Sequence, residues 1–333
     1  DHKKTPLDVR ESLYRRRNDI AGFWAKSLSQ RTATLITCNR FEIYGVSKDE
    51  KAGKEHMALF RTEFPQFHEK GYVEYGRKDV FRHALRLACG LESQLKGELQ
   101  VLQQLEAWNR RQPYDSPLPG FWQKAILSAR QIRIRSGLDR EESNIAAVIF
   151  ENLARQINNH SLIKVIIVGT GKIAGLFAMH HTLRASFSFV SGKNYSKARE
   201  LARQAKGKAL KFGEISNELL TADALISATS SPHFILNAGD FLEAASRRDR
   251  PLYVFDMAVP RDIHPDACGV NGIVLKNLDD LAPLFKAHNE RLSERLVSAE
   301  NLIEEKMKEY KEQEHGDKTE DRYASQPISY QAG

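Results

Sequence analysis

Cysteine is scarce in this chain. Cys38, Cys89 and Cys268 are the only three in 333 residues, and their wide spacing excludes a disulfide framework or a cysteine-knotted metal site. No metal is called for, and a reducing cytoplasm suits such a chain. No apolar run approaches the roughly 20 residues that cross a bilayer, and no secretory or transit segment is recognisable, which excludes the membrane classes. Asp1 is not a natural start, so some N-terminal residues are expected to be absent. Acidic excess is lacking too: the net charge is +7. Residues 1–150 hold 26 Lys+Arg against 19 Asp+Glu, and residues 151–333 hold 24 of each. A basic first part beside a neutral second points to a polyanionic partner for the first, or to an unevenly charged solvated surface.

With 41% hydrophobic and 28% charged residues, the composition is that of a soluble globular protein. The length exceeds one ordinary core and predicts two or three domains. Residues 7–30 read as helix with a basic tip at Arg15, Arg16 and Arg17, and 51–70 as another helix before a short strand at 71–75. Between them, the apolar run Thr34–Tyr44 reads as one strand. Alternation would then put Cys38 and Arg40 on one face, and Thr37, Asn39 and Phe41 on the other. A fixed cation beside Cys38 favours its thiolate, the nucleophilic form; the plainer reading is a small buried cysteine.

From His83 to Gln104 the pattern is helical, with Leu87, Leu91, Leu95 and Leu102 as the packing side. At about 100° per residue, Gln100 and Gln104 each fall within roughly 20° of Ser93, making a polar stripe that is a binding face or a solvated one. A regular helix would aim Glu98 about 140° from Ser93, so its inward orientation needs a local break, which Gly97 can supply. Unaided, His83 reads as a helix-face histidine. Helix continues from Phe121 to Gln156 with a break near Gly137, and carries Arg130, Arg133 and Arg135 for phosphates or for solvent.

A second domain opens near Leu162. The apolar run Lys164–Val168 leads into Gly169-Thr170-Gly171-Lys172-Ile173-Ala174 and then a helix, the strand, turn, helix setting of a dinucleotide fingerprint. Gly169 permits the tight turn, Gly171 admits the pyrophosphate, Ala174 fills the third position, and the helix start offers unfilled amides. The second strand ends in Ser191-Gly192-Lys193-Asn194, where an NAD site would carry an acidic residue for the ribose hydroxyl. Lys193 suits a 2′-phosphate, so the cofactor expected is NADPH. Further strands at 224–229, 251–256 and 272–275 complete a parallel sheet. The helix expected over 281–314 shows apolar positions at Leu281, Phe285, Leu292, Leu296, Ile303 and Met307, and the polar tail 315–333 is expected to be disordered.

Thr37-Cys38-Asn39-Arg40 followed by Glu42-Ile43-Tyr44 resembles the catalytic segment of the glutamyl-tRNA reductases, which start tetrapyrrole (porphyrin) synthesis from charged tRNA. His83–Gln104 resembles their substrate helix, with Cys89 where serine is usual and Leu99 in place of a proline. Asp256–Ile263 is nearly identical to a further family segment, and Thr229–His233 is similar to a loop at a strand end. His2-Lys3-Lys4-Thr5-Pro6 with Val9-Arg10-Glu11 resembles the family's opening after a first strand, which is expected to be cut away. The likeness is collinear over roughly residues 2–310, and the family's C-terminal dimerisation domain is expected to be missing. It implies an α/β chain: an N-terminal α+β catalytic domain with its connecting helix (1–150), a Rossmann-type NADP-binding domain (151–280) and the start of a spinal helix (281–314). By that resemblance Cys38 and His83 are catalytic, and Thr37, Asn39, Arg40, Ser93, Glu98, Gln100 and Gln104 contact the substrate. Gly169, Thr170, Gly171, Lys172, Ile173, Ala174 and Lys193 hold NADPH. The implied reaction is reduction of glutamyl-tRNA to glutamate-1-semialdehyde through a cysteine thioester. Implied partners are glutamyl-tRNA, the downstream glutamate-1-semialdehyde aminomutase and, through the C-terminal helix, a weak homodimer. A relative with another acyl donor, or a silent protein that binds tRNA or the next enzyme, remains the alternative.

Overall fold

The computed structural model describes residues 6–332 apart from 28–31, 38–39, 66–70, 113–116, 140–143, 158–161, 180–183 and 317–325. For residues 71–72, 312–316 and 326–332 it describes the backbone alone. In chain order the elements are α1 (Leu7–Arg15), α2 (Arg17–Ser27), β1 (Thr32–Thr37), β2 (Arg40–Ser47), α3 (Glu50–Glu63), β3 (Gly71–Tyr75), α4 (Arg77–Ala88), α5 (Leu99–Asn109) and α6 (Leu118–Ser136). Then come α7 (Ile145–Gln156), β4 (Ile163–Val168), α8 (Lys172–Met179), β5 (Ala185–Ser191), α9 (Tyr195–Gln204), β6 (Lys208–Lys211), α10 (Ile215–Leu219), β7 (Ala224–Ser227), α11 (Ala238–Ser246), β8 (Leu252–Asp256) and β9 (Ile273–Asn277). The chain closes with α12 (Ala282–Arg291), α13 (Ser293–Gly316) and β10 (Gln326–Ala332). Two compact units result: Asp1–Ser143 with Phe285–Gly333, and Asn144–Leu284. No described helix is long and apolar enough to cross a membrane.

The first unit is a four-stranded antiparallel sheet in the order β1-β2-β10-β3 with helices packed on it. Its core gathers Tyr44 from β2, Phe81, Leu85 and Leu87 from α4, Trp122 and Ile126 from α6, and Ile303 and Met307 from α13, all nearly inaccessible. Tyr44 and Trp122 meet edge to face at 4.8 Å, the geometry aromatic quadrupoles prefer. A smaller cluster joins Trp24, Phe41, Phe60 and Phe64. Local chemistry sets the helix ends. The Asp49 carboxylate accepts from Ala52 N to cap α3, and Gly137, at φ 74°, closes α6 in the left-handed conformation that costs glycine little.

Several expectations need correction here. Residues 34–44 are not one strand: β1 ends at Thr37, β2 starts at Arg40, and the two run antiparallel with Thr37 opposite Arg40. The single-strand alternation that put Cys38 and Arg40 on one face therefore fails. Cys38 and Asn39 themselves lie outside the described residues. The helix read from His83 to Gln104 is two helices, because Gly90 and Gly97 stand at φ 80° and 76°, a region that breaks a helix. The tail expected to be disordered contains a strand, β10, since a short β-forming run gains order when the sheet offers partners on both sides. The long C-terminal helix is interrupted at Leu292, and its apolar stripe is not free for a helix-paired dimer: Ile303, Met307 and Tyr310 are buried in the first unit's core.

The second unit is a parallel six-stranded sheet in the order β6-β5-β4-β7-β8-β9. β4, β5, β7 and β8 are largely buried on both faces, as parallel strands covered by helices require, whereas the edge strands β6 and β9 are mostly half-buried or exposed. The chain winds outward from β4 in one direction through β5 and β6, then returns to β7 on the other side. That reversal lies between β4 and β7, where open α/β sheets bind ligands beyond the carboxyl ends of their strands.

Candidate functional site

The first candidate site grows from an alternation of period two. β2 aims Arg40, Glu42 and Tyr44 at one face, and all three are buried. Buried charges require partners. Arg40 Nη1 donates to Glu42 Oε1 at 2.8 Å, Tyr44 Oη donates to Glu42 Oε2, and His83 Nε2, from α4, lies 3.3 Å from the same oxygen. Burial by itself would raise the Glu42 pKa. The charges of His83 and Arg40 and the hydrogen bonds outweigh it and hold the carboxyl well below the usual carboxylate range. Arg40 in turn remains a cation, because Glu42 outweighs its desolvation.

Arg40 also fastens a loop. Its Nη2 donates to Glu92 O at 2.7 Å, and the stretch from Cys89 to Glu98 folds over itself with Gly97 N bonded to Gly90 O at 3.0 Å. A Cβ at Gly90 would stand 3.0 Å from the Glu98 backbone, so the fold of the loop depends on glycine there. Arg133 grips the loop from α6, donating to Cys89 O at 2.8 Å, Gly97 O at 2.9 Å and Leu138 O at 2.6 Å. This corrects its reading as a phosphate-facing or solvent-facing residue: Arg133 is 2% exposed. Arg130 and Arg135 pair with Glu106 and Glu305. Arg86 joins Glu92 on the loop to Glu300 on α13.

Inside this frame sits Ser93, 2% exposed, with no hydrogen-bond partner for its Oγ among the described residues. A buried hydroxyl in that state costs about 1–3 kcal/mol, and a polar ligand would relieve it. Glu98 lies near it. Burial raises the Glu98 pKa, and the Ser93 hydroxyl and the Arg40 charge pull it back. The Ser93 hydroxyl thus sits close enough to Glu98 to favour its charged form without reaching full hydrogen-bond geometry.

The structure therefore brings Arg40, His83, Ser93 and Glu98 into one polar cluster with Glu42. Thr37 ends β1, opposite Arg40. Gln100 and Gln104 lie four residues apart on one face of α5 and bond to no side chain of the cluster; the break at Gly97 removes them from any helix shared with Ser93. Of the site residues expected, Cys38 and Asn39 lie outside the described residues. Cys89 is sealed in the core, where burial pushes its thiol up to about 12. Glu42, Tyr44 and Arg86 were not recognised as site-building residues. The first two were detectable as a carboxylate and a phenol at i+2 and i+4 from Arg40 in an otherwise apolar strand.

The second candidate site is built of backbone. After β4, Gly169 takes φ 111°, and a Cβ there would lie 2.5 Å from Ala228 O. Only glycine lets the turn lie so close to the start of the loop after β7. Gly171 precedes α8, whose first amides have no helical acceptor. Lys172 is exposed, Ile173 half-buried and Ala174 fully buried beneath the helix, while Thr170 is half-buried in the turn. A turn that glycine alone fits, open amides and the dipole of α8 suit the diphosphate of a dinucleotide. Lys193 lies exposed beyond the end of β5, between Ser191, which accepts from Asn194 N at 3.0 Å, and the Asn194 cap of α9.

Two aspartates brace the neighbouring loops. Asp262 accepts from Ser227 Oγ at 2.7 Å and from Thr229 N at 2.8 Å. Asp256, at the end of β8, accepts from Ala258 N at 3.1 Å and from Ile263 N at 2.8 Å. Burial, only partly opposed by these amides, pushes the Asp256 carboxyl up to about 7. Their place in the motif was legible in the sequence, but this bracing was not.

Comparison with known proteins covers both units. Residues 1–135 match the family model for the glutamyl-tRNA reductase N-terminal domain, and residues 151–284 match that for shikimate/quinate 5-dehydrogenase. The glutamyl-tRNA reductase of Pelotomaculum thermopropionicum is 30% identical over 321 residues, 92% of this chain and 72% of that protein. That of Sulfurihydrogenibium sp. is 31% identical over 327 residues, 93% and 74% respectively. A solved glutamyl-tRNA reductase from Methanopyrus kandleri aligns at 25% identity and a TM-score of 0.46, covering 94% of this chain and 78% of its own. With a relative 31% identical over 93% of this chain and 74% of that protein, and with the family's own N-terminal domain matched, this chain belongs to the glutamyl-tRNA reductase family.

Proposed function

We propose that the protein reduces glutamyl-tRNA to glutamate-1-semialdehyde, with acyl capture in the first unit and cofactor binding in the second. The observation that carries the reading is the buried Arg40–Glu42–His83 cluster around the unpartnered Ser93 hydroxyl, in sequence next to Cys38. The Cys38 thiolate attacks the ester carbonyl carbon. The ester C–O bond breaks, the tRNA leaves as its terminal hydroxyl after taking up a proton, and the glutamyl group stays on sulfur as a thioester. NADPH, when bound, supplies the hydride that takes the acyl group to the aldehyde and frees the thiolate. Arg40 offers the cluster's positive charge to the glutamyl carboxylate, and Ser93 a hydroxyl to its polar atoms. Glu42, with both oxygens engaged, keeps Arg40 and His83 in place rather than acting on substrate.

In the second unit, the Gly169–Gly171 turn and the start of α8 hold the diphosphate. No acidic side chain stands at Ser191–Ser196, and Lys193 offers a 2′-phosphate its cation. NADPH is therefore favoured over NADH, and Lys193→Asp should weaken NADPH selectively, about 10-fold or more. Equal affinity of the unaltered protein for the two cofactors overturns this preference.

The deciding experiment mixes the protein with glutamyl-tRNA in the absence of NADPH and reads peptide masses. A glutamyl adduct on the peptide containing Cys38, together with loss of aldehyde formation in Cys38→Ser, is the expected result. An adduct on Cys89, or full activity in Cys38→Ser, overturns the assignment.

A further inference from the structure

The first unit's sheet has an unusual construction. β10 is an inner strand, yet it comes from the last residues of the chain. On one side Gln326–Gln331 pair with Ser47–Glu42 of β2, and on the other Ile328–Ala332 pair with Tyr75–Gly71 of β3, both antiparallel. Among the described residues β2 and β3 do not pair with each other, and β3 has no strand partner but β10. The gap between them is one strand wide, roughly twice the ~4.8 Å spacing of neighbouring strands. Both of its walls present main-chain donors and acceptors, which a sheet edge left open exposes as a template for an added strand.

The wall on the β2 side is also the strand that carries the buried polar cluster. Glu42 stands opposite Gln331 and Tyr44 opposite Ser329. With β10 in place, every residue of β2 is buried. Residues 317–325, which join α13 to β10, are Asp-Lys-Thr-Glu-Asp-Arg-Tyr-Ala-Ser, with five charges in nine. Such a composition offers little apolar surface; β10 is held by the main-chain ladders on both sides and lies against α4.

We propose that the gap between β2 and β3 is a strand-binding site: it takes an extended peptide antiparallel to both walls, the chain's own residues 326–332 are its resident ligand, and occupancy keeps β2 and its Arg40–Glu42–Tyr44 row in register. Recognition is by main-chain hydrogen bonds, as in strand addition to sheet edges, doubled because both edges are used. An inner strand has its amides directed alternately to each neighbour. Proline anywhere in its middle therefore removes a ladder bond, whichever wall that residue faces. The inference does not rest on the proposed reaction.

The test uses the full chain with a protease site placed within residues 317–325, cut after folding so that the native protein is the starting point. A labelled synthetic peptide of residues 324–333 is then added to the nicked protein, alongside the same peptide carrying Ser329→Pro. Hydrogen exchange is followed at residues 40–47, 71–75 and, as an internal control, 163–168 and 224–227. Expected is saturable exchange of the native-sequence peptide for the resident strand, at least 10-fold tighter binding than the proline peptide, and faster exchange of 40–47 and 71–75 when the strand is washed out. Amides of 163–168 and 224–227 should not change. Equal binding of both peptides, or release of the segment with unchanged protection of 40–47 and 71–75, overturns the proposal. So does loss of protection in both units together, which would mean global unfolding in place of an emptied site.

Discussion

The two units solve the problem of presenting polar chemistry in opposite ways. In the first, side chains do it: a guanidinium, a carboxylate, a phenol and an imidazole are buried together and satisfy one another. In the second, the main chain does it, with a glycine turn and the open amides of α8, and buried aspartates serve the loops behind it. A side-chain site is sensitive to the loss of any partner, whereas a backbone site is sensitive to the gain of any atom.

The sharpest way to break this contrast is Glu42→Gln. Removing one partner of a buried ion pair leaves Arg40 uncompensated, and a loss of about 3–5 kcal/mol is expected. Denaturant unfolding followed by hydrogen exchange should place the loss in the first unit; a loss below 1 kcal/mol would show that the cluster is not electrostatically coupled. Gly169→Ala is the complementary change. The added methyl meets Ala228 O in a conformation alanine disfavours, so dinucleotide affinity should fall about 100-fold by fluorescence titration, while the unfolding of the first unit stays where it was.

pH separates the units further. Asp256, pushed from 3.8 to about 7, holds a proton in the folded chain where the unfolded chain has released it. Its contribution is therefore greatest below about pH 4 and is lost as pH rises toward 7. Glu42 has the opposite sign: its folded pKa is lowered, so its contribution is present above the ordinary carboxylate range and fades as pH falls below it. Asp256→Asn should flatten the pH 4–7 slope of the second unit's stability, an effect on the order of 1–3 kcal/mol. An unchanged slope in that variant would assign it to another group. The smallest effect is expected from Cys89→Ala. A thiol pushed to about 12 is no nucleophile near neutrality, so the variant should retain its catalytic rate and lose about 1 kcal/mol of stability from the small cavity. A 100-fold fall in activity would revive Cys89 as the acylated residue.

These differences also explain what could be read in advance. The parallel sheet, the glycine turn and the Lys193 position follow from local spacing, because a strand, a turn and a helix start are contiguous in sequence. Ser93 and Glu98 are named by resemblance; the break at Gly97 that an inward Glu98 requires is present, whereas the one helical face expected to join Ser93 to Gln100 and Gln104 is not. Gly90 and Gly97 turn the chain in a way that averaged periodicity conceals, and the loop they form is held by Arg133 from more than thirty residues away. The break between Thr37 and Arg40 had a local signal, an asparagine between two β-forming runs. β6 was missed because its four residues, Lys-Ala-Leu-Lys, carry too little alternation for an edge strand. β10 was beyond local reasoning altogether, since its stability comes from neighbours some 250 and 280 residues earlier in the chain.

The nucleotide-binding unit occupies one uninterrupted segment, Asn144–Leu284, whereas the other unit needs both flanking segments. During synthesis the segments therefore mature in an order different from the one in which they are written. The second unit can fold once residue 284 has emerged from the ribosome. The first, begun earlier, must wait for residues 285–333, a further several seconds at about 5–20 residues per second. Through that interval β2 and β3 lack the strand that joins them, so the half-made protein carries the Arg40–Glu42–Tyr44 row in an unfinished sheet while the parallel sheet of the second unit is already complete.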